Sequence, residues 1–128
     1  MGGSDESFEL HVEGDPTGLS TIRVFVRAIA RSVDADAERV DDLQLIVSEI
    51  CSELLEAGGR ELDVSVRRDD GALDVSVDGV GASVSMDGQD KAFRRELLRT
   101  LSPDVAWGAA GARFRVSVPA ATDVAHER

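Results

Sequence analysis

The sequence predicts an α+β fold, a two-layer α/β sandwich in which one mostly antiparallel sheet is covered on one face by helices. Three observations predict it. The elements read in the order strand, helix, helix, strand, strand, loop, helix, strand, strand, rather than as strictly alternating strands and helices. Neighbouring strand runs are joined by short turn chemistry, which pairs them antiparallel. The chain has 128 residues and no internal repeat. It is expected to be a single domain over 1–128, frayed at about 1–6 and 120–128.

Each element has its own signature. In Ser7 to Val12, Phe8, Leu10 and Val12 alternate with Ser7, Glu9 and His11, as in a half-buried strand. Gly14-Asp15-Pro16 ends it. From about Thr17 to Val33, Leu19, Ile22, Phe25, Val26, Ile29 and Val33 recur at helical spacing, and Arg23, Arg27 and Arg31 form a basic edge. A longer helix follows from about Ala37 to Ala57, with Gly58-Gly59 as its C-terminal stop. Leu62, Val64, Val66 and Leu73, Val75, Val77 are alternating runs joined at Arg68-Asp69-Asp70-Gly71, a tight hairpin. Gly79 to Asp90 reads as a loop, and a third helix is expected from about Lys91 to Leu101 before Ser102-Pro103. Val105 to Ala109 and Ala112 to Val118 are the last two strands.

Composition narrows the function. Against 25 Asp and Glu stand 14 Lys and Arg, a net charge of −11, which opposes nonspecific binding to nucleic acid or anionic lipid. Arg94, Arg95 and Arg99 on the third helix lack interleaved aromatics and read as a charged helix surface rather than a nucleic-acid patch. No run of 18 apolar residues occurs, and the first fifteen residues carry five acids and no base, unlike a secretory leader. A cytoplasmic location is the expectation. One cysteine, Cys51, and two histidines, His11 and His126, make a structural zinc or a Ser/His/Asp triad poor readings. Cys51 reads as a small core residue and Trp107 as packing.

The second helix carries the chemistry. Leu43, Val47, Ile50 and Leu54 share one arc, while Glu38, Asp42, Glu49, Glu53 and Glu56 fall within about 60° of each other on another. Such a stripe is either a solvated face or a functional one. Carboxylates at i and i+4, here Glu49 and Glu53, can chelate a divalent cation or let one act as a base beside the other.

The segment Val40-Asp41-Asp42-Leu43-Gln44-Leu45-Ile46-Val47-Ser48-Glu49-Ile50-Cys51 resembles the helix that opens the nucleotide site in the anti-sigma-factor serine kinases of the histidine-kinase-like ATPase fold. The resemblance extends through Asp78-Gly79-Val80-Gly81 to the closing strand at Ala112 to Pro119. It implies ATP and magnesium as cofactors, with Gly79 and Gly81 in the nucleotide box. Glu49 stands where the family has the Glu that polarises the attacking hydroxyl or water.

Other positions depart from the family. Glu53 replaces the Asn that coordinates magnesium; a carboxylate can still ligate the metal, but it adds negative charge beside a triphosphate. Val77 replaces the Asp that accepts from the adenine amino group, and Ala112 replaces a Thr near the adenine. Gly88 alone does not make the family's glycine-rich phosphate cradle.

Two functions follow from the resemblance. The first is an anti-sigma-factor-like regulator that binds a sigma factor or its antagonist, with weak or absent ATP binding. On that reading Arg23 and Arg27 are partner-binding candidates by position, and the edge strand Ser7 to Val12 could support a homodimer. The second is an ATP-dependent protein serine kinase acting on an anti-anti-sigma factor, with Glu49 as base and Glu53 as metal ligand. A module that uses the acidic stripe directly for metal binding or scaffolding is a third reading.

Overall fold

A computed structural model describes residues 6–85 and 89–118. The expectations for the chain ends, Gly88 and His126 lie outside these residues. The order of elements is the one expected: β1 (Ser7–Glu13), α1 (Pro16–Ser32), α2 (Ala37–Glu56), β2 (Glu61–Arg68), β3 (Ala72–Val80), α3 (Gln89–Leu101), β4 (Ala106–Trp107) and β5 (Gly111–Ser117). The strands form one sheet in the order β1-β2-β3-β5-β4, antiparallel at every pairing. β1 lies at one edge, as the sequence suggested for Ser7 to Val12.

Local chemistry sets the boundaries. Asp15 is the N-cap of α1 and its carboxylate accepts from the Gly18 amide at 2.7 Å, with Pro16 opening the helix. The Gly14-Asp15-Pro16 turn is therefore also the helix start, one residue earlier than expected. Asp36 caps α2 in the same way, accepting from the Arg39 amide at 2.9 Å. At the other end Gly58 has φ +100°, and the Gly58 and Gly59 amides donate to the Leu55 and Leu54 carbonyls. That pair of bonds is a Schellman closure. In the β2–β3 hairpin, positive φ at Asp70 and Gly71 matches the right-handed twist of the strands.

Two boundaries differ from expectation for one reason. The amides of Gly79 and Val84 donate to the carbonyls of Ala110 and Ala109, so these two alanines serve the end of β3 and the segment beyond it instead of the β4–β5 ladder. β4 thus keeps only Ala106–Trp107, and β5 begins at Gly111. Gly79 and Val80 belong to β3 rather than to the loop, and α3 starts at Gln89, before Lys91.

The core lies between the sheet and the helices. Leu62, Val64, Val66, Leu73, Val75, Val77, Ala112 and Phe114 face it from the strands, and Ile22, Val26, Leu43, Val47, Ile50 and Leu54 from α1 and α2. Fully burying each such aliphatic side chain contributes about 1.5–3 kcal/mol. Cys51 is among them, and burial pushes its thiol up to about 12, beyond any reactive range at neutral pH. The opposite face of the sheet is polar. Among the described residues, no helix is long and apolar enough to cross a membrane.

Candidate functional site

α2 presents its apolar arc to the sheet and turns its second half toward α3. The acidic stripe therefore divides. Glu38 remains exposed, whereas Glu53 has 0% of its surface accessible and Glu49 is only partly accessible. The cover comes from α3, whose Lys91, Arg94 and Arg95 recur at i, i+3 and i+4 and so share one helix face.

These cations engage the carboxylates one by one. Arg95 Nη2 donates to Glu53 Oε2 at 2.5 Å, and Lys91 Nζ lies 3.6 Å from the same oxygen. Arg94 Nη1 is 3.6 Å from Glu53 Oε1, which accepts no hydrogen bond. Arg94 also donates from Nε to Glu49 Oε1 at 2.9 Å and forks onto Glu56 at 2.9 and 3.1 Å. That fork holds the Glu56 carboxyl below the usual range and raises the Arg94 guanidinium. The Arg95 guanidinium stacks over Trp107, 4.3 Å from the ring centroid, and Arg95 Nη2 donates to the Ser85 carbonyl at 3.3 Å. Three acids on α2 thus face three bases on α3.

Arg94 and Arg95 correct the reading of this helix as a solvated surface: Arg95 is buried and Arg94 points into the seam. Trp107 likewise supplies a ring face to a guanidinium as well as packing.

The other candidates stand apart from this cluster. Gly79 and Gly81 lie where β3 ends against the C-terminus of α2. A Cβ on Gly79 would come within 3.1 Å of Leu54 Cβ, and one on Gly81, at φ +87°, within 2.4 Å of Arg60 Nη1. The positive φ favours glycine at Gly81 and tight packing against Leu54 favours it at Gly79, so local structure accounts for both residues. Arg23 and Arg27 are exposed on α1. Arg23 Nε donates to Ser48 Oγ at 3.0 Å, and the Arg23 carbonyl accepts from Gln44 at 3.2 Å, so this arginine sits on the α1–α2 seam.

The sheet positions that would flank an adenine are aliphatic. Val77 and Ala112 are register partners, both buried, and Asp78 is exposed on the opposite face. Among the described residues, no group of three or more His, Cys, Asp and Glu side chains is placed to hold a metal ion. Glu53, the candidate magnesium ligand, already faces three cations. These residues do not fit a magnesium-bridged triphosphate held as the resemblance implies, because a metal would have to displace the bases of α3 from Glu53.

An antiparallel sheet with helices on one face and an acidic helix beside it defines the class of domain. The family model of the histidine kinase-like ATPase domain matches residues 12–108, and the chain belongs to that family. Membership is compatible with nucleotide binding. Among solved structures, that of the RsbU and RsbW domains of Rv1364c from Mycobacterium tuberculosis is similar, with a TM-score of 0.64 and 19% identity. The similarity covers 90% of this chain and 34% of that one, so this chain spans about a third of its length. At such identity the likeness is one of fold. No curated protein matches.

Proposed function

We propose that this chain is an anti-sigma-factor-like regulatory protein that binds a sigma factor or its antagonist, with weak or absent ATP binding. The observation that carries the reading is the α2–α3 seam: the carboxylate face given to nucleotide in the family is here covered by Lys91, Arg94 and Arg95. The core beneath it is intact, so a binding surface can persist where the chemistry has been lost. On this reading 1–128 is one domain acting in a bacterial cytoplasm to regulate transcription. Arg23 and Arg27 are the partner-binding candidates, and the β1 edge supports a homodimer.

The test is capture of the purified chain by sigma factors and by their antagonists. Binding that weakens when Arg23 and Arg27 are replaced by Ala supports the proposal, and failure to bind any of them counts against it. A second reading, an ATP-dependent protein serine kinase, is favoured by Glu49, which keeps the matching position and part of its exposure. There Glu49 would take the proton of a partner's seryl hydroxyl as it attacks the γ-phosphorus of ATP, releasing ADP. Calorimetric titration with ATP and magnesium separates the two. Micromolar affinity, abolished by Glu53→Ala, would overturn weak or absent ATP binding and turn the preference to the kinase reading.

A further inference from the structure

We infer that Glu53 is a built-in anion occupying a phosphate-type oxyanion site formed by Lys91, Arg94 and Arg95, and that removing its carboxylate opens that site to phosphate groups. Three cationic heads from one helix converge on a single carboxylate whose residue has no accessible surface. The geometry is that of an anion receptor rather than of a matched ion pair. A buried pair is favourable when both carboxylate oxygens are satisfied, ideally by a two-pronged guanidinium. At Glu53 one oxygen takes the short bond from Arg95 and the nearby ammonium of Lys91, while Oε1 accepts no hydrogen bond although Arg94 Nη1 lies 3.6 Å away.

A two-oxygen anion is thus seated among donors that a larger oxyanion could use more fully. Electrostatics points the same way. With Glu53 present, the three acids of α2 balance the three bases of α3, so an incoming phosphate finds no net attraction. Without it the seam is net positive and Arg94 still bridges Glu49 and Glu56, which keeps α3 docked. The ligand class is a phosphate dianion or a terminal phosphate of a nucleotide.

This inference rests on the proposal that the wild-type chain binds ATP weakly or not at all, and the two can fail separately. Wild-type titration with ATP and magnesium decides the first. For the second, melting is measured for wild type, Glu53→Ala and Glu53→Gln in inorganic phosphate, in metal-free ATP, and in chloride of matched ionic strength. In about 20 mM phosphate Glu53→Ala should melt about 2–5 °C higher than in chloride, and wild type should show no such rise. Glu53→Gln, which fills the space with a neutral amide, should gain less. A rise with ATP but none with phosphate assigns the site to nucleotide phosphates, and a rise with both assigns it to phosphate generally. The gain should vanish when Lys91→Ala and Arg95→Ala are added.

A folded Glu53→Ala that responds to neither anion, or a wild type that responds equally, overturns the inference. Where both variants are unfolded in chloride, phosphate or ATP should restore helical circular dichroism, and failure to do so overturns it as well.

Discussion

Acids meet bases in two parts of this molecule, and solvent treats them differently. At the α2–α3 seam Glu53 is buried among Lys91, Arg94 and Arg95, each with a fifth or less of its side chain accessible. On the open face of the sheet Arg115 bonds Asp74 at 2.8 Å and Asp69 at 3.3 Å, and His11 lies between Asp63 and Glu61, with those side chains about a third to a half accessible. Both clusters set carboxylates against basic side chains. Water screens the second and not the first, so the seam carries structural weight while the sheet face chiefly sets surface charge. Breaking a buried pair strands a charge that cannot return to water, whereas an exposed pair dissolves into two solvated groups.

The largest expected effect is therefore at the seam. Glu53→Ala, measured in phosphate-free buffer, should cost about 3–5 kcal/mol in urea unfolding, because it leaves cations facing a vacated buried position. Leu54→Ala, one residue along and equally buried, should cost about 2–5 kcal/mol by opening a cavity against the sheet. Parity between the two would show that leaving the buried cations unpartnered costs as much as an apolar cavity at the neighbouring position. A loss below about 1 kcal/mol at Glu53 would break the comparison, for the seam would then behave like a surface.

Arg95→Lys tests what the guanidinium adds beyond charge. Lysine keeps the cation but gives up the planar fork and much of the stack on Trp107, so about 1–2 kcal/mol should be lost. A fluorescence change at Trp107 should accompany it. An unchanged midpoint would reduce Arg95 to a counterion.

These expectations also mark how far the sequence could be read. Elements defined by one repeated pattern were legible: the β2–β3 hairpin from alternation around Asp70-Gly71, and α2 from its apolar arc and Gly58-Gly59 closure. The short β4 was not, because Ala109 and Ala110 bond to Val84 and Gly79, contacts that no local pattern encodes. For the candidate site, the acidic stripe of α2 was visible but its cover was not. Lys91, Arg94 and Arg95 have the i, i+3, i+4 spacing of one face, complementary to Glu49, Glu53 and Glu56 at i, i+4, i+7. That match was a usable signal. It was outweighed because a charged helix face usually meets water, and only tertiary packing shows that this one meets another helix.

Acid titration probes the rim of the seam, where effects are smaller. The folded Glu56 carboxyl lies below the ordinary glutamate value of 4.5, chiefly through its bond to Arg94. Its contribution is present above that value and is lost as pH falls through the lower folded one. Wild type should lose stability over that window more steeply than Arg94→Ala. Glu56 is largely exposed, so the difference should shrink in high salt. Equal slopes would remove Arg94 as the link between seam and rim.

The sheet face should give the smallest response and the opposite sign. The bond to Asp63 raises the His11 imidazole above 6.5, with Glu61 and Glu13 adding to it. A raised folded value means that the contribution is fully present below 6.5 and is lost as pH climbs through the folded value. The urea midpoint of wild type should thus drift slightly downward above pH 6.5, and that of His11→Gln should not. High salt should erase the drift, since both partners stand in water. A salt-resistant drift as large as the loss at Glu53 would mean that the open face is covered in solution, and the contrast between the two clusters would then lie in what covers each of them.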